Sequence, residues 1–138
     1  KNNEKKRPYV IHRTSIGCYE RTLAMLIEKY AGAFPTWLAP VQVKVLPIGE
    51  KQIEYSKQIA DKLFKLGVRV EVDERNEKIG YKIREAQLAK IPYMLVIGDR
   101  EMQNVQVAVR SRKEGDLGVM DTNDFINKLT TEINTRAR

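Results

Sequence analysis

The sequence has few of the residues from which catalytic and metal sites are built. Among 138 residues there is one histidine, His12, and one cysteine, Cys18. One cysteine cannot form a disulfide within the chain, so we expect a reducing compartment and predict a cytoplasmic protein. Residues 41–138 have no histidine to act as a general base and cannot supply a histidine-rich metal site. These absences predict a binding module rather than an active site in residues 41–138.

Phosphate-binding loops and long apolar runs are also missing. Neither GxxxxGK[ST] nor GxGxxG occurs. This absence disfavours one possible function, that of a flavodoxin-like domain that binds a small phosphate ligand. No apolar run approaches the ~20 residues of a membrane helix, so we predict no membrane partner. The first residues contain no apolar signal segment and no initial methionine. We therefore expect a processed form or a piece of a longer chain.

The sequence has an excess of positive charge and enough hydrophobic residues to form a core. Hydrophobic residues make up 42% and charged residues 31%, which is typical of a folded domain with an apolar core. The formal net charge is +7 and the isoelectric point is about 9.5. Such a charge favours an anionic partner, nucleic acid first, although a basic surface can also serve solubility alone.

Proline and glycine divide the chain into three segments. Residues 17–31 form the first predicted helix, with Thr14 or Ser15 as its cap, Gly32 after its end, and one apolar face made by Tyr19, Leu23, Leu26, Ile27 and Tyr30. Residues 33–40 contain two prolines and the only tryptophan, so we predict a linker between a segment 1–32 and a domain 41–138.

Within residues 41–138 strand and helix patterns alternate. Apolar runs predict strands at 41–48, 68–73, 93–98 and 105–112, and helical spacing predicts helices at 50–66, 78–90 and 121–136. Short connections of this kind predict an α/β fold with crossover helices. The last two strands lie close enough to pair antiparallel. We therefore predict a mixed, mostly parallel sheet of about five strands flanked by three helices.

The strand VQVAVRSR, residues 105–112, is the first candidate for a binding surface. Its three valines alternate with Gln106, Ala108, Arg110 and Arg112, so one face is core and the other is basic. Arginine can donate two hydrogen bonds to the O6/N7 edge of guanine, and such edges are open in single-stranded RNA. The alternative is an exposed basic strand face without a ligand.

A second candidate is RNEKIGYKIREAQLAK, residues 75–90. Arg75 and Asn76 fall at a strand-to-helix turn, where ligands collect in open α/β sheets. Lys78, Lys82 and Arg84 are predicted to project from the first turns of the helix, where positive charge is unfavourable without an anionic partner. Beyond them Glu101 can accept a hydrogen bond from a base amino group. Most carboxylates of residues 50–101 alternate with lysine and arginine, which also suits a solvated face.

These motifs carry a family resemblance over residues 8–138. LAPVQVKVLPIG, GVRVEVDERNEKIGYKIREAQLAKIPYMLVIGDRE and VAVRSRKEGDLGVM closely resemble the C-terminal anticodon-binding domain of threonyl-tRNA synthetases, which are class II aminoacyl-tRNA synthetases. RNEKIGYKIRE and the DLG sequence of residues 116–118 are its most specific parts. The resemblance implies that residues 41–138 are an anticodon-binding domain.

The preceding segment resembles the end of a catalytic domain. IGCYERTLAMLIEKYAG is similar to class II motif 3, a strand and a helix, and the resemblance makes Arg21 its ATP-binding arginine. His12 matches a histidine that helps to bind zinc in this family, where the metal takes the amino and hydroxyl groups of threonine. Cys18 matches a position beside the amino-acid pocket and is not predicted as a zinc ligand.

The resemblance also implies what this chain lacks. Motifs 1 and 2 and two further zinc ligands are absent, whereas a catalytic zinc site needs three protein ligands. The full enzyme is expected to use ATP with Mg²⁺ and zinc, and to be a homodimer. This chain alone is expected to hold no cofactor and to be inactive.

For anticodon binding, the family pattern falls on residues of this chain. The implied set is Asn76, Arg84, Lys90, Glu101 and Arg110. Glu101 and Arg110 would recognise the central guanine, and Asn76 and Arg84 would lie nearer the last base, a uracil. At Lys90 the family often has arginine, and lysine lacks its planar fork, so a phosphate contact is expected there.

Two hypotheses follow. The first is recognition of threonine tRNA by an RNA-binding module of a threonine–tRNA ligase. The second is a synthetase-like paralogue that acts as a non-catalytic RNA- or protein-binding regulatory module.

Overall fold

A five-stranded sheet forms the centre of the fold in the computed structural model, which describes residues 5–137. The strands lie in the order β2-β1-β3-β4-β5, and they are β1 (Val43–Pro47), β2 (Val70–Val72), β3 (Tyr93–Ile97), β4 (Gln106–Ser111) and β5 (Gly115–Asp121). β1 pairs parallel with β2 and β3, whereas β4 pairs antiparallel with β3 and β5. The predicted mixed sheet is confirmed. Its pairings divide equally rather than being mostly parallel, because β5 adds a second antiparallel pairing.

Five α-helices accompany the sheet in the described residues. They are α1 (Tyr19–Tyr30), α2 (Ile53–Lys65), α3 (Ile79–Leu88), α4 (Asp99–Asn104) and α5 (Thr122–Thr135), and a 3-10 turn, Glu50–Gln52, leads into α2. The three helices predicted around the sheet are α2, α3 and α5. α4 is an addition, since six residues are too few to show a helical period.

The two faces of the sheet are covered unequally. On one face α2 and α5 pack against the strands and bury the main core, which includes Val43, Val45, Ile59, Leu63, Leu95, Val107, Val109, Phe125 and Leu129. On the other face α3 packs over β1 and β3 through Leu46, Ala86, Ile91 and Met94. Neither β4 nor β5 contributes to that second cluster among residues 5–137. Their α3-side surface is therefore left open.

α2 packs against the core along one side only. Ile59 and Leu63 are buried, whereas Phe64, the residue after Leu63, is 72% exposed. Phe64 lies about 100° around the helix from Leu63, because an α-helix has 3.6 residues per turn.

The segment before the sheet forms only its helix. Residues 5–18 contain no strand and are exposed, so the predicted strand is absent from the part that the structure describes. A strand needs a neighbour for its backbone hydrogen bonds, and no described strand of this chain lies beside it. α1 begins after Cys18, which makes no capping hydrogen bond, rather than after Thr14 or Ser15, and Ala31 takes the left-handed conformation at its end. α1 buries none of its residues.

The predicted linker is packed against the domain. Arg112 donates hydrogen bonds to the carbonyl oxygens of Ala33, at 3.2 Å, and Phe34, at 2.6 Å. The Thr36 hydroxyl donates to Glu132 Oε1 at 2.6 Å, and Tyr93 donates to the other oxygen of that carboxylate at 2.6 Å. Burial and this hydrogen bond raise the pKa of Tyr93. The connecting segment, residues 31–40, is thus held by Arg112, which follows β4, and by Glu132 of α5, whose carboxylate Tyr93 of β3 also fixes.

A second set of bonds holds the far end of the connecting segment. The Arg69 guanidinium donates to the carbonyl oxygens of Ala39 and Trp37, each at 2.9 Å. Gln42 donates to the Thr36 carbonyl at 2.9 Å and accepts from the Arg69 amide at 2.8 Å. Backbone carbonyls along the segment are therefore satisfied by the domain rather than by solvent.

Candidate nucleic-acid interface

The open face is the α3-side surface of β4 and β5, and three cross-strand pairs define it. Gln106 pairs with Asp121, Ala108 with Val119 and Arg110 with Asp116. Directly paired residues in antiparallel strands point to the same side, so each pair presents both side chains to this surface. Val119 is 52% exposed and Ala108 is partly buried. The centre of the open face is thus a small apolar patch with polar pairs at both ends.

Arg110 is held at one end of the open face by Asp116. Its Nη2 donates to Asp116 Oδ2 at 3.1 Å, while Oδ1 of the same carboxylate accepts from the Gly118 amide at 2.9 Å. These two bonds hold the pKa of Asp116 below its ordinary value, and the bond from the Gly118 amide has the larger effect. The Arg110 side chain is 35% exposed, so this guanidinium is both oriented and accessible.

Glu101 lies at the carboxyl end of β3, in the first turn of α4. Its Oε2 accepts a hydrogen bond from the Gly98 amide at 2.9 Å, which caps the helix. A methyl group on Gly98 would lie 2.8 Å from that oxygen. Among residues 5–137, Oε1 of Glu101 accepts no hydrogen bond. One oxygen of the carboxylate therefore fixes the side chain, and the other can accept from a ligand.

Asn76 is exposed in the loop between β2 and α3, and Lys82 anchors that loop. Lys82 is 3% exposed, and its Nζ donates to the carbonyl oxygens of Pro47 at 3.1 Å and Asp73 at 3.0 Å. The prediction that Lys82 projects towards a ligand is therefore wrong. Helical spacing places it on the same side of α3 as Ala86, four residues later, which is fully buried.

Arg75 is also used by the fold beside Asn76. Its guanidinium donates to both oxygens of Asp73, at 2.8 and 2.6 Å, and to Glu85. The Asp73 side chain is 2% exposed, and the bond from Arg75 holds its pKa below the ordinary value against the opposing effect of burial. Arg75 thus stabilises the loop, and the loop exposes the Asn76 side chain to solvent.

Lys90 and Arg112 lie at the amino end of β3, the end opposite to Glu101, and face the connecting segment. Lys90 Nζ donates to the Ala31 carbonyl, and the Lys90 carbonyl accepts from Arg112 at 2.5 Å. Lys90 has a left-handed backbone, with φ of 56°, and burial lowers the pKa of Arg112. Both cations are therefore engaged by backbone carbonyls, although sequence alternation placed Arg112 on the ligand-binding side.

The remaining candidates lie along a strip rather than at one point. Glu101 follows β3 at its end, whereas Arg110 pairs with Met94 near the start of β3. Three residue steps separate Met94 from Ile97, which is roughly 10 Å along a strand. Arg84 is exposed on α3, the helix beside the open face, and Asn76 precedes that helix. The strip offers guanidinium and amide donors together with one free carboxylate oxygen.

His12, Cys18 and Arg21 do not assemble into a site within this chain. All three are exposed, and Cys18 Sγ donates to Glu20 at 2.8 Å. In residues 5–137 no three His, Cys, Asp or Glu side chains lie close enough together to hold a metal ion. The residues present therefore do not fit a zinc centre, which needs three protein ligands. None of the helices described in residues 5–137 is long and apolar enough to cross a membrane.

Two residues of this region have roles that differ from those the sequence predicts. Asp116 was noted only as part of the DLG pattern, and β5, which carries it, has two glycines and no clear alternation of polar and apolar residues. Lys82 was assigned the wrong direction, although its spacing from Ala86 was visible in the sequence.

The fold and the open face define a mixed α/β domain with part of one sheet face uncovered. A family described as "Anticodon binding domain" matches residues 42–132, the greater part of the chain. The chain therefore belongs to the anticodon-binding domain family.

Its relatives specify the likeness further. The chain is 61% identical over 136 residues to a threonine–tRNA ligase of Clostridium perfringens strain 13, and 62% identical over 138 residues to one of Clostridium botulinum strain Eklund 17B. These matches cover 99% and 100% of this chain but only 21% and 22% of the relatives. The chain thus spans about a fifth of their length.

A solved structure agrees with these relatives. The crystal structure of the RNA binding domain of threonyl-tRNA synthetase from Cryptosporidium parvum Iowa II superposes with a TM-score of 0.77 at 36% identity. The match covers 81% of this chain and 28% of that one.

Proposed function

We propose that this chain is the anticodon-binding part of a threonine–tRNA ligase and that it binds the anticodon loop of threonine tRNA. The family match and the high identity to threonine–tRNA ligases support the module and its tRNA. The observation that carries the proposal is Arg110, an oriented and accessible guanidinium on an uncovered sheet face.

The strip on this face suits successive unpaired bases. Arg110 donates to the O6/N7 edge of the central guanine, and Glu101 Oε1 accepts from the amino group of the same base. Both side chains are long and reach one base in this proposal, although Arg110 lies beside Met94, roughly 10 Å along β3 from Ile97, the strand end that Glu101 follows. Asn76 and Arg84 contact the last base, a uracil. Lys90 contacts a phosphate, for which its Nζ must leave the Ala31 carbonyl.

The activity proposed for the whole protein is ATP-dependent adenylation of threonine and its transfer to tRNA. Residues 1–32 are then the end of the catalytic domain, 33–40 the linker and 41–138 the anticodon-binding domain. Arg21 serves ATP, and His12 becomes one zinc ligand once the rest of that domain supplies the others. The exposed apolar side chains of α1, namely Tyr19, Leu23, Met25 and Ile27, are free to pack against it.

The remaining parts of the proposal concern the setting of the enzyme. The whole protein uses Mg²⁺ with ATP, is cytoplasmic and forms a homodimer. This chain alone holds no cofactor and does not activate threonine.

The experiment is binding of an anticodon stem-loop to the chain, with guanine or adenine at the central position, across a salt series. Wild type should prefer guanine, and Arg110→Ala should lose about 1–3 kcal/mol of that preference. Arg100→Ala, on the exposed first turn of α4, is the charge-matched control. A wild type that binds both stem-loops equally well would overturn the proposal.

A further inference from the structure

Resting on the proposed function, we propose that Asp116 is a positioning residue for base recognition, acting through Arg110 without touching the RNA. The sequence pattern that carries the inference is DLG, residues 116–118, which lies in β5.

A β-bulge in β5 brings Asp116 opposite Arg110. Val109 pairs with Gly118, so a regular antiparallel ladder would next pair Arg110 with Leu117. Instead Arg110 pairs with Asp116, and Leu117 is the extra residue. Bulges redirect side chains in this way at functional surfaces. The irregularity therefore replaces an apolar partner of Arg110 by a carboxylate.

Two features within the DLG sequence fix the bulge. Gly118 has φ of 78°, a left-handed conformation that a side chain would strain. The Gly118 amide donates to Asp116 Oδ1 at 2.9 Å, which leaves Oδ2 directed at Arg110. All three residues of the motif therefore contribute, because Asp116 orients the guanidinium, Leu117 forms the bulge and Gly118 permits the turn.

The Asp116 carboxylate accepts a hydrogen bond from only one nitrogen of the Arg110 guanidinium. Arg110 uses Nη2 towards Asp116, and no other described residue of 5–137 accepts a hydrogen bond from its guanidinium. An arginine has five N–H donors in a rigid plane, so fixing one nitrogen sets the direction of the rest. Asp116 thus sets the angle at which the free donors meet a base edge, and it lowers the attraction of this face for unspecific phosphates.

Asp116→Asn tests the inference with little change to the hairpin. The amide oxygen can still accept from Gly118, but the amide nitrogen cannot accept from Arg110. We expect the preference for a central guanine to fall about fivefold, while thermal unfolding stays close to wild type. Glu114→Gln removes the same charge from the same hairpin, where Glu114 faces Lys128 at 3.8 Å, and should leave the preference unchanged.

A double-mutant cycle separates positioning from general stabilisation. In an Arg110→Ala background, Asp116→Asn should have no further effect on the guanine preference, because its action passes through Arg110. If wild type and Arg110→Ala behave as proposed but Asp116→Asn keeps the full preference, this inference fails and the proposed function stands. If wild type shows no preference, the proposed function itself fails.

Discussion

Lys82 and Asp73 are joined by a hydrogen bond of 3.0 Å from the buried Nζ to the backbone carbonyl, and the same Nζ reaches the Pro47 carbonyl at 3.1 Å. The lysine therefore ties together the carboxyl ends of β1 and β2. Through that tie it supports the loop that presents Asn76.

Lys82→Met should destabilise the domain by about 1–3 kcal/mol, because two buried carbonyls lose their donor. Urea unfolding followed by circular dichroism measures the change. Lys62→Met, at an exposed position of α2, is the control and should stay within about 0.5 kcal/mol of wild type. Equal stability of the two variants would show that the Lys82 bonds contribute nothing.

The lowered pKa of Asp73 predicts that the domain loses stability in acid. Arg75 holds the pKa of Asp73 below its ordinary value of 3.8. A carboxyl with a lowered folded pKa stabilises fully above the unfolded pKa of about 3.9, and that contribution disappears as pH falls through the folded pKa. Asp73→Asn should therefore be less stable than wild type at pH 7.

The pH dependence gives the sharper comparison. Between about pH 5 and pH 2 the free energy of unfolding of Asp73→Asn should fall less steeply than that of wild type. Asp61→Asn, at an exposed position of α2, should follow the wild-type curve. Parallel curves for wild type and Asp73→Asn would contradict the role of the Arg75 bond.

Gly98→Ala should displace the Glu101 carboxylate and weaken base recognition without a mutation at Glu101 itself. The new methyl group would lie 2.8 Å from Glu101 Oε2 and 3.0 Å from Ile48 Cδ1, so the carboxylate must move. The preference for a central guanine should drop about threefold, in line with loss of one hydrogen bond. Gly80→Ala, in α3 with open space around it, should keep the preference and stabilise the helix by about 0.5–1 kcal/mol. Unchanged binding by Gly98→Ala would argue against a role for Glu101.

Arg112→Met should loosen the connecting segment. The variant removes the donors to Ala33, Phe34 and Lys90 while keeping the aliphatic stem. The amides of Leu38 and Ala39, which both donate to the Pro35 carbonyl, should exchange with solvent about tenfold faster by local opening. Core amides of β3 should be unaffected, and Arg100→Met should match wild type. Unaltered exchange at Leu38 and Ala39 would mean that the other bonds suffice.

Much of the sheet and its three main helices were predictable because their patterns follow burial. Val107 and Val109 occupy every second position of β4 and are fully buried, and α5 begins after Asp121, a residue type that commonly caps helices and here accepts from the Asn123 amide. β5 was not predictable, because its exposed, glycine-containing sequence is held by pairing with β4 rather than by its own pattern.

The sequence predicted where Glu101 and Arg110 lie in the fold better than it predicted the hydrogen-bond partners of the lysines and of Arg112. Glu101 and Arg110 do lie on or beside the open face. The engagement of Lys90 with Ala31, of Lys82 with Asp73 and of Arg112 with Phe34 depends on contacts between residues distant in sequence. Such contacts leave no local period to detect.

The connecting segment is ordered by the domain itself, and this has an entropic consequence for any ligand that contacts both of its ends. A freely jointed tether would lose conformational entropy each time such a ligand was bound. Here Arg69, Arg112 and Glu132 restrict the segment already when the domain folds. The path of the segment from the end of α1 to the sheet is therefore set when the domain folds, before any partner binds.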